Sequence, residues 1–219
     1  MAKRNYTVLV FDWDGTLVDS TSLIAEAILR AADDIGVPVP DRSQASHVIG
    51  LGLAAALARV VPGLPQERIP DFAARYRAHY REAEDHIRLF EGALDMLDTL
   101  RARRVRMAIA TGKTRAGLAR SLRSMGLEGH FSSVRCADQT HPKPHPAMLQ
   151  ELAVELAVDT ADMLMIGDTS HDLQMAGSAG VAAVGVAYGA HPRSELERLQ
   201  PLAVFDTLAA LRHWLLARC

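Results

Sequence analysis

Cysteine, lysine and long apolar runs are all scarce in this sequence. Two of the 219 residues are cysteine, Cys136 and Cys219, and their positions form neither a metal-binding spacing nor a disulfide framework. Such cysteine usage is typical of a reducing compartment. The first apolar run stops at Asp12, and no stretch approaches the roughly twenty apolar residues that a bilayer crossing needs. We therefore expect a cytoplasmic protein that does not bind membranes.

An excess of charge of one sign is also missing. The formal net charge is -2, whereas a nucleic-acid surface usually has a strongly basic balance, so we expect a small-molecule partner and no nucleic acid. Only three of the 24 basic residues are lysine, namely Lys3, Lys113 and Lys143. The two that lie inside the chain, Lys113 and Lys143, are candidates for a special role. The content of 49% hydrophobic and 23% charged residues is that of an ordinary globular protein.

The stretch 6–20 organises the rest of the chain. Six β-forming residues lead directly into Asp12 and Asp14, so a short strand of the kind buried in a parallel sheet ends in two carboxylates. Two like charges at such a place repel each other and resist burial, which makes sense if a cation lies between them. Gly15 and Thr16 add a turn, a hydroxyl donor and backbone amides that can face an anion. The alternative is a strand that ends in an acidic surface turn.

The pattern of the remaining chain predicts an α/β fold. Residues 18–86 have helical periodicity and no convincing strand, whereas β and α segments alternate after residue 87, which is typical of a parallel sheet with right-handed crossovers. We predict a doubly wound parallel sheet (Rossmann-like) formed by residues 1–17 and 87–219, with an all-helical cap, residues 18–86, inserted after the first strand. The later strands are predicted at residues 105–110, 131–136, 163–167, 181–187 and 203–205.

Acids, a hydroxyl and ammonium groups follow the predicted strands, each just past a carboxyl end. Because ligands bind along that edge of a doubly wound sheet, these side chains can converge on one site. Taken singly, Thr111 and Lys113 could cap the helix after their strand, and Lys143 could be a solvated loop lysine. Asp168 could cap the helix after its own strand, with Asp172 as a favourable charge in the first turn. The candidate residues are Asp12, Asp14, Thr111, Lys113, Lys143, Asp168 and Asp172.

This set of side chains suits phosphoryl transfer. Asp12, Asp14 and Asp168 offer hard oxygen ligands of the kind that Mg²⁺ prefers, and a carboxylate can attack phosphorus to give an aspartyl-phosphate. Hydrolysis of phosphate monoesters is among the slowest reactions known, so charge neutralisation at the phosphoryl oxygens is also required. A magnesium ion and Lys143 would supply it.

Two further functions can be assigned to this edge. Hydroxyl and amide donors of Thr111 and Gly112 would bind the phosphoryl oxygens. Asp14 is the candidate general acid and base, since a side chain two residues after the nucleophile in a turn can face the ester oxygen.

Four segments together resemble the motifs of the haloacid dehalogenase superfamily, in particular its phosphoglycolate-phosphatase-like members, which carry a helical cap between the first and second motifs. The resemblance extends from residue 7 to about residue 190. One departure is Trp13, where a leucine or a smaller aliphatic residue is more usual; it bears on specificity and not on the reaction. The segments are 12–20, 110–113, 143–146 and 167–172.

The resemblance implies a role for each matched residue. Asp12 would be the nucleophile and Asp14 the acid and base, while Thr111 would bind phosphate and Lys143 would stabilise both the nucleophile and the phosphate. It also implies Mg²⁺ held by the Asp12 carboxylate, the Asp14 main-chain oxygen and Asp168. Asp172 would support the metal site from nearby.

Other features receive a structural interpretation or a hypothesis. His141, His145, His171 and His191 lie on predicted loops without ligand spacing, and we expect solvated or hydrogen-bonding residues. The loop 49–52 in the predicted cap could close over the site and select the leaving group. The hinges would lie at 18–19 and 89–92.

We therefore predict a Mg²⁺-dependent phosphatase acting on a small phosphorylated metabolite, with 2-phosphoglycolate as the substrate that the resemblance suggests. A sugar phosphomutase of the β-phosphoglucomutase type would use the same chemistry. A phospho-acceptor signalling domain also carries acids, a threonine and a lysine at one sheet edge, although such domains lack a helical insertion after the first strand.

Overall fold

Six parallel strands form the central sheet of the computed structural model, which describes residues 6–218. Lys3 and Cys219, and with them both ends of the predicted core (residues 1–5 and 219), lie outside the described residues. The strands are β1 (Val8–Phe11), β2 (Val18–Asp19), β3 (Arg88–Leu89), β4 (Arg106–Thr111), β5 (Ser133–Cys136), β6 (Met163–Gly167), β7 (Ala182–Val186) and β8 (Val204–Phe205).

The sheet has the order β5-β4-β1-β6-β7-β8, and β2 and β3 form a separate two-stranded ribbon. Helices connect the strands on both faces of the sheet. They are α1 (Thr21–Asp34), α2 (Arg42–His47), α3 (Leu53–Val60), α4 (Ile69–Glu84), α5 (Ala93–Ala102), α6 (Arg115–Ser124), α7 (Ala147–Glu155), α8 (Ser170–Ala179), α9 (Arg193–Arg198) and α10 (Leu208–Leu216).

Strand β1 is buried on both faces, which explains its unbroken apolar sequence. Leu9 and Phe11 pack into the larger hydrophobic core, whereas Val8 and Val10 face the smaller one on the other side of the sheet. A strand between two cores needs apolar side chains at every position, not at alternate ones. The predicted doubly wound α/β fold is confirmed.

Helices α1 to α4, called the cap helices below, lie between β2 and β3 in the chain. Helix α1 buries Ile24, Ile28 and Ala31 on one face, the spacing of an amphipathic helix, and packs mainly against α4. Helix α2 was not predicted because six residues are too short to show a period. Its start is fixed by a capping box in which the Asp41 side chain accepts from the Gln44 amide and the Gln44 side chain accepts from the Asp41 amide.

The prediction that residues 18–86 contain no strand is wrong at their beginning. Val18–Asp19 pairs in antiparallel fashion with Arg88–Leu89, and a two-residue strand is too short to show the alternation by which strands are recognised. The ribbon holds the chain entering the cap helices beside the chain leaving them, close to the positions predicted as hinges. The division into a core domain and a cap domain stays a prediction.

Within residues 6–218, no helix combines the length and apolar character of a membrane span, and the cytoplasmic location stays a prediction. Cys136 is buried as a free thiol.

Candidate active site

A buried cluster of charge lies past the carboxyl ends of β1 and β6. The Nζ atom of Lys143 lies 2.5 Å from Asp12 Oδ1 and 2.6 Å from Asp172 Oδ1. All three side chains are fully shielded from solvent. A loop lysine, separated from Asp12 by 131 residues in the chain, is therefore brought into direct contact with the acid at the end of the first strand.

The acids of this cluster suit a hard divalent cation. Asp12, Asp168 and Asp172 each offer a carboxylate oxygen, and these atoms lie within 4.8 Å of one another. Asp12 Oδ2 is buried and has no hydrogen-bond partner among residues 6–218. Lys143 is the one ammonium that pairs with these three buried acids among residues 6–218, so their full ionisation would leave negative charge without compensation. Oxygen donors of this kind fit Mg²⁺.

Burial also perturbs the protonation of these acids. Desolvation raises the pKa of Asp12 well above its usual value, although Lys143 acts in the opposite direction. Desolvation, together with repulsion from Asp172, raises the pKa of Asp168 to about 7. Burial opposes the charge of Lys143, but the carboxylates of Asp12 and Asp172 raise its pKa above the usual range. A cation among the acids would favour their charged forms.

The acids differ in how fully their oxygens are engaged. Asp168 Oδ1 accepts from Thr16 Oγ1 at 2.9 Å, and Oδ2 accepts from the Ala190 amide at 2.7 Å. Asp172 Oδ2 accepts from the amide and hydroxyl of Thr169, at 3.1 and 2.7 Å, while Oδ1 contacts Lys143. Asp172 Oδ1 is paired with Lys143 by charge but, like Asp12 Oδ2, has no hydrogen-bond partner among residues 6–218. Asp172 can therefore orient Lys143, cap α8 and still face a cation.

The turn after β1 requires a glycine. Gly15 has φ +85°, and a Cβ atom at this position would overlap the Asp168 carboxylate. A side chain here would therefore displace the acid, in addition to straining the backbone. Phosphate binding by the Gly15 amide stays a prediction.

The second predicted motif, residues 110–113, lies at the end of β4 and against the loop 49–52. Thr111 is buried, and its hydroxyl accepts from the Lys113 amide at 3.2 Å. Gly112 packs so closely that an added Cβ would lie 2.6 Å from the carbonyl oxygens of Gly50 and Leu51. The loop 49–52 thus reaches the candidate phosphate-binding segment, as the closure hypothesis requires.

Asp14 has partners that the sequence analysis did not predict. Its Oδ1 accepts from Ser20 Oγ at 2.6 Å and from Lys113 Nζ at 3.1 Å. The same ammonium donates to the Tyr80 hydroxyl of α4 at 2.7 Å. Burial opposes the charge of Lys113, but Asp14 raises its pKa above the usual value. Lys113 therefore joins the candidate acid and base to a cap helix. The scarcity of lysine and its position just past a strand had indicated Lys113, but not its contact with Asp14.

A cavity of about 150 Å³ adjoins Asp14 and Lys113. The cap helices α1, α3 and α4 and the loop 49–52 form most of its wall. Tyr76 and Tyr80 of α4 also line it. Burial raises the pKa of the Tyr80 hydroxyl to about 12, so it is neutral at pH 7.

Two of the predicted loop histidines are buried at the junction between α2 and the sheet. Their expected hydrogen bonds are present, because Nε2 of His171 and Nε2 of His191 both donate to the His47 carbonyl, at 3.0 and 3.1 Å. Burial lowers the pKa of His171 to about 4. The prediction of a loop position is wrong for His171, which lies in α8. The pair fastens the end of α2 to the active-site side of the sheet.

Trp13, the departure from the family pattern, belongs to the core. Its side chain is fully buried, and its Nε1 donates to Ser121 Oγ at 3.1 Å. It also packs edge-on against Phe131. The indole ring therefore fills space between β1 and α6, and the expectation that it does not alter the reaction stays a prediction.

Comparisons with known proteins agree with this geometry. The family model described as haloacid dehalogenase-like hydrolase matches residues 9–186. The chain is 36% identical to the probable phosphatase IndB of Dickeya dadantii (92% of this chain, 90% of the relative) and 32% identical to a phosphoglycolate phosphatase of Rhodospirillum rubrum (94% and 90%). A hydrolase from Pseudomonas syringae of known structure superposes with a TM-score of 0.86 at 25% identity, over 94% of this chain and 97% of that one.

Proposed function

The chain belongs to the haloacid dehalogenase-like hydrolase family, and from this premise we propose a Mg²⁺-dependent phosphatase that hydrolyses a small phosphomonoester through an aspartyl-phosphate at Asp12. The observation that carries the proposal is the buried contact of Lys143 with Asp12, next to an Asp12 oxygen without a hydrogen-bond partner in residues 6–218. Relatives named phosphoglycolate phosphatase make 2-phosphoglycolate the first substrate to test.

The residues divide the reaction into two displacements. A carboxylate oxygen of Asp12 attacks phosphorus, the ester bond breaks, and the leaving oxygen takes a proton from Asp14. Asp14 then removes a proton from a water molecule that attacks the aspartyl-phosphate, which releases inorganic phosphate and restores the Asp12 carboxylate. Lys143 and the donors of Thr111 and Gly112 stabilise the phosphoryl oxygens throughout.

The metal would be held by Asp12 and Asp168, with the Asp14 main-chain oxygen as a further ligand and Asp172 in support. When bound, Mg²⁺ supplies positive charge to the phosphoryl oxygens. The unpartnered Asp12 oxygen and the excess of buried carboxylate support this assignment.

Hydrolysis of an aryl phosphate tests the proposal. We expect turnover with Mg²⁺, loss of turnover on addition of a chelator, and a decrease in kcat of at least roughly a thousand-fold for Asp12→Asn, since the nucleophile is lost. The control is the same substitution at an exposed aspartate of α1, Asp33→Asn, which should keep full activity. Equal rates for Asp12→Asn and the wild-type protein would refute the proposal.

The same preparation separates the alternatives. A stable, stoichiometric phosphoprotein without turnover would favour a phospho-acceptor domain. Interconversion of sugar phosphates without release of inorganic phosphate would favour a phosphomutase.

A further inference from the structure

The cavity beside Asp14 is the space in which the leaving group of the substrate would lie. Asp14 lines it together with Lys113, and the cap helices close it from the other side. The oxygen of the leaving alcohol must lie next to Asp14, which protonates it, so the rest of the alcohol must lie in the space beside that carboxyl. The size, polarity and charge of the cavity wall therefore indicate which alcohol the site binds. This argument rests on the proposed function.

The surface of the cavity wall is mostly apolar, and aliphatic side chains are its largest group. A cavity of about 150 Å³ with such a lining is large enough to hold a benzene ring. The two carbons of glycolate would cover only a small part of this surface and would leave water against the remainder, so little apolar burial would be gained. The larger aliphatic residues of the lining are Ile24, Ile28, Val48, Ile49, Leu51 and Leu53.

The charged groups of the wall are unbalanced. Asp14 is the one acid that lines it, and it contacts Lys113 at 3.1 Å. Arg120 lies 3.6 Å from Glu84. Arg77 is exposed at the cavity and, within residues 6–218, contacts no acid. The rim next to α4 therefore keeps a positive charge that can receive an anionic group of a ligand.

We infer that the natural leaving group is a compact apolar alcohol, about the size of one carbon ring, that carries a carboxylate on the side facing Arg77. The aliphatic wall binds its body, Asp14 protonates its oxygen and Arg77 attracts its carboxylate. The substrate class is thus a phosphomonoester of a carboxylated cyclic or branched alcohol, not of a two-carbon hydroxy acid.

Three esters of primary alcohols test the inference by their kcat/KM values with Mg²⁺: benzyl phosphate, 4-carboxybenzyl phosphate and 2-phosphoglycolate. We expect 4-carboxybenzyl phosphate to be the best substrate and benzyl phosphate to exceed 2-phosphoglycolate by roughly tenfold or more. A preference for 2-phosphoglycolate over both benzyl esters would overturn the inference and leave the proposed function intact. Failure to hydrolyse any ester would overturn both.

Charge at the rim is tested by Arg77→Gln, with the exposed Arg75→Gln of the same helix as the matched control. Because the partner charges meet near solvent, we expect kcat/KM for 4-carboxybenzyl phosphate to fall by roughly two- to fivefold. The value for benzyl phosphate should stay constant, and Arg75→Gln should change neither. Equal decreases for both esters would show a structural effect and would contradict the role of Arg77.

Space in the cavity is tested by Ala56→Phe, which places a ring at a lining position of α3. We expect roughly a tenfold loss for the benzyl esters and a much smaller change for 2-phosphoglycolate. The exposed Ala58→Phe on the same helix is the control for helix propensity. Unchanged benzyl ester hydrolysis in a folded Ala56→Phe protein would contradict the placement of the leaving group, and the Arg77 result decides the case if that variant fails to fold.

Discussion

Replacing Asp168 by asparagine should make the metal-free protein more stable at neutral pH, although it removes a proposed metal ligand. Asp168 is fully buried, and burial with repulsion from Asp172 raises its pKa from 3.8 to about 7. In the folded apo protein its charged form is therefore unfavourable. Asparagine cannot ionise, so the substituted protein avoids this cost.

The magnitude follows from proton linkage. Between the unfolded and folded pKa values, the folded protein binds a proton that the unfolded chain has lost, so stability falls as the pH rises through about 7. A shift of about three pKa units corresponds to roughly 4 kcal/mol in total, of which about 2 to 3 kcal/mol is lost between pH 5 and pH 7.5. The Asp168→Asn protein lacks this loss.

The pH dependence of stability also has a contribution from His171. The effect of Asp168 must therefore be measured as the difference in stability between Asp168→Asn and the wild-type protein. Burial lowers the pKa of His171 to about 4, so its contribution to stability is lost as the pH falls below its unfolded value, the opposite trend to that of Asp168. The two slopes partly cancel in the wild-type protein. They separate when the stability of Asp168→Asn is measured relative to the wild type, because His171 is common to both.

The assay is urea unfolding in a chelator at several pH values between 5 and 7.5, repeated with Mg²⁺. We expect the stability of Asp168→Asn relative to the wild type to increase by about 2 to 3 kcal/mol over this range. Mg²⁺ should stabilise the wild-type protein, by about 2.7 kcal/mol at a hundredfold excess over its Kd, and should stabilise the variant less. A difference that stays constant with pH would refute the argument that Asp168 is buried at an electrostatic cost.

Three further substitutions test the surroundings of the site. Lys143→Met leaves the Asp12 and Asp172 charges unpaired and should lower the free energy of unfolding of the apo protein at pH 7 by about 3 to 5 kcal/mol; an unchanged urea midpoint would contradict the buried ion pairs. Gly112→Ala places a Cβ 2.6 Å from the Gly50 carbonyl and should reduce kcat/KM without changing the far-ultraviolet circular dichroism, whereas full activity would mean that the loop 49–52 need not approach. Trp13→Phe removes the bond to Ser121 and should cost roughly 1 to 3 kcal/mol of stability, with kcat unchanged; a selective loss of kcat would give Trp13 a part in the reaction.

The sequence predicted the charge cluster because every member follows a strand. Asp12 comes directly after β1 and Asp168 directly after β6, and neighbouring parallel strands bring their carboxyl ends together whatever the length of chain between them. Lys143 follows β5 by several residues, yet its charge, burial and the acids at the edge leave it one favourable place. Topology thus brings the acids together, and charge explains why Lys143 joins them.

The cavity wall and the histidine contacts could not be predicted in this way. The wall depends on how α1, α3 and α4 pack against the sheet, and the spacing of Ile24 and Ile28 is equally typical of a helix buried in a core. Helix α2, whose last residue His47 accepts from two histidines, is too short to show a period. These features depend on contacts between elements far apart in the chain, and local patterns contain little information about them.

The scarcity of lysine gains a physical explanation from these contacts. Lys143 is fully buried and the side chain of Lys113 is 10% exposed, and each places its ammonium against a carboxylate: Asp12 and Asp172 for the first, Asp14 for the second. A compact ammonium with three donors can enter a small space between acids, whereas the planar guanidinium of arginine needs a wider site and presents its donors in a fixed fork. Arginine can therefore replace lysine on an exposed surface at little cost but not at these two positions. The lysines that remain inside the chain mark the two places where the proposed reaction needs a small buried cation, one beside the nucleophile and one beside the acid and base.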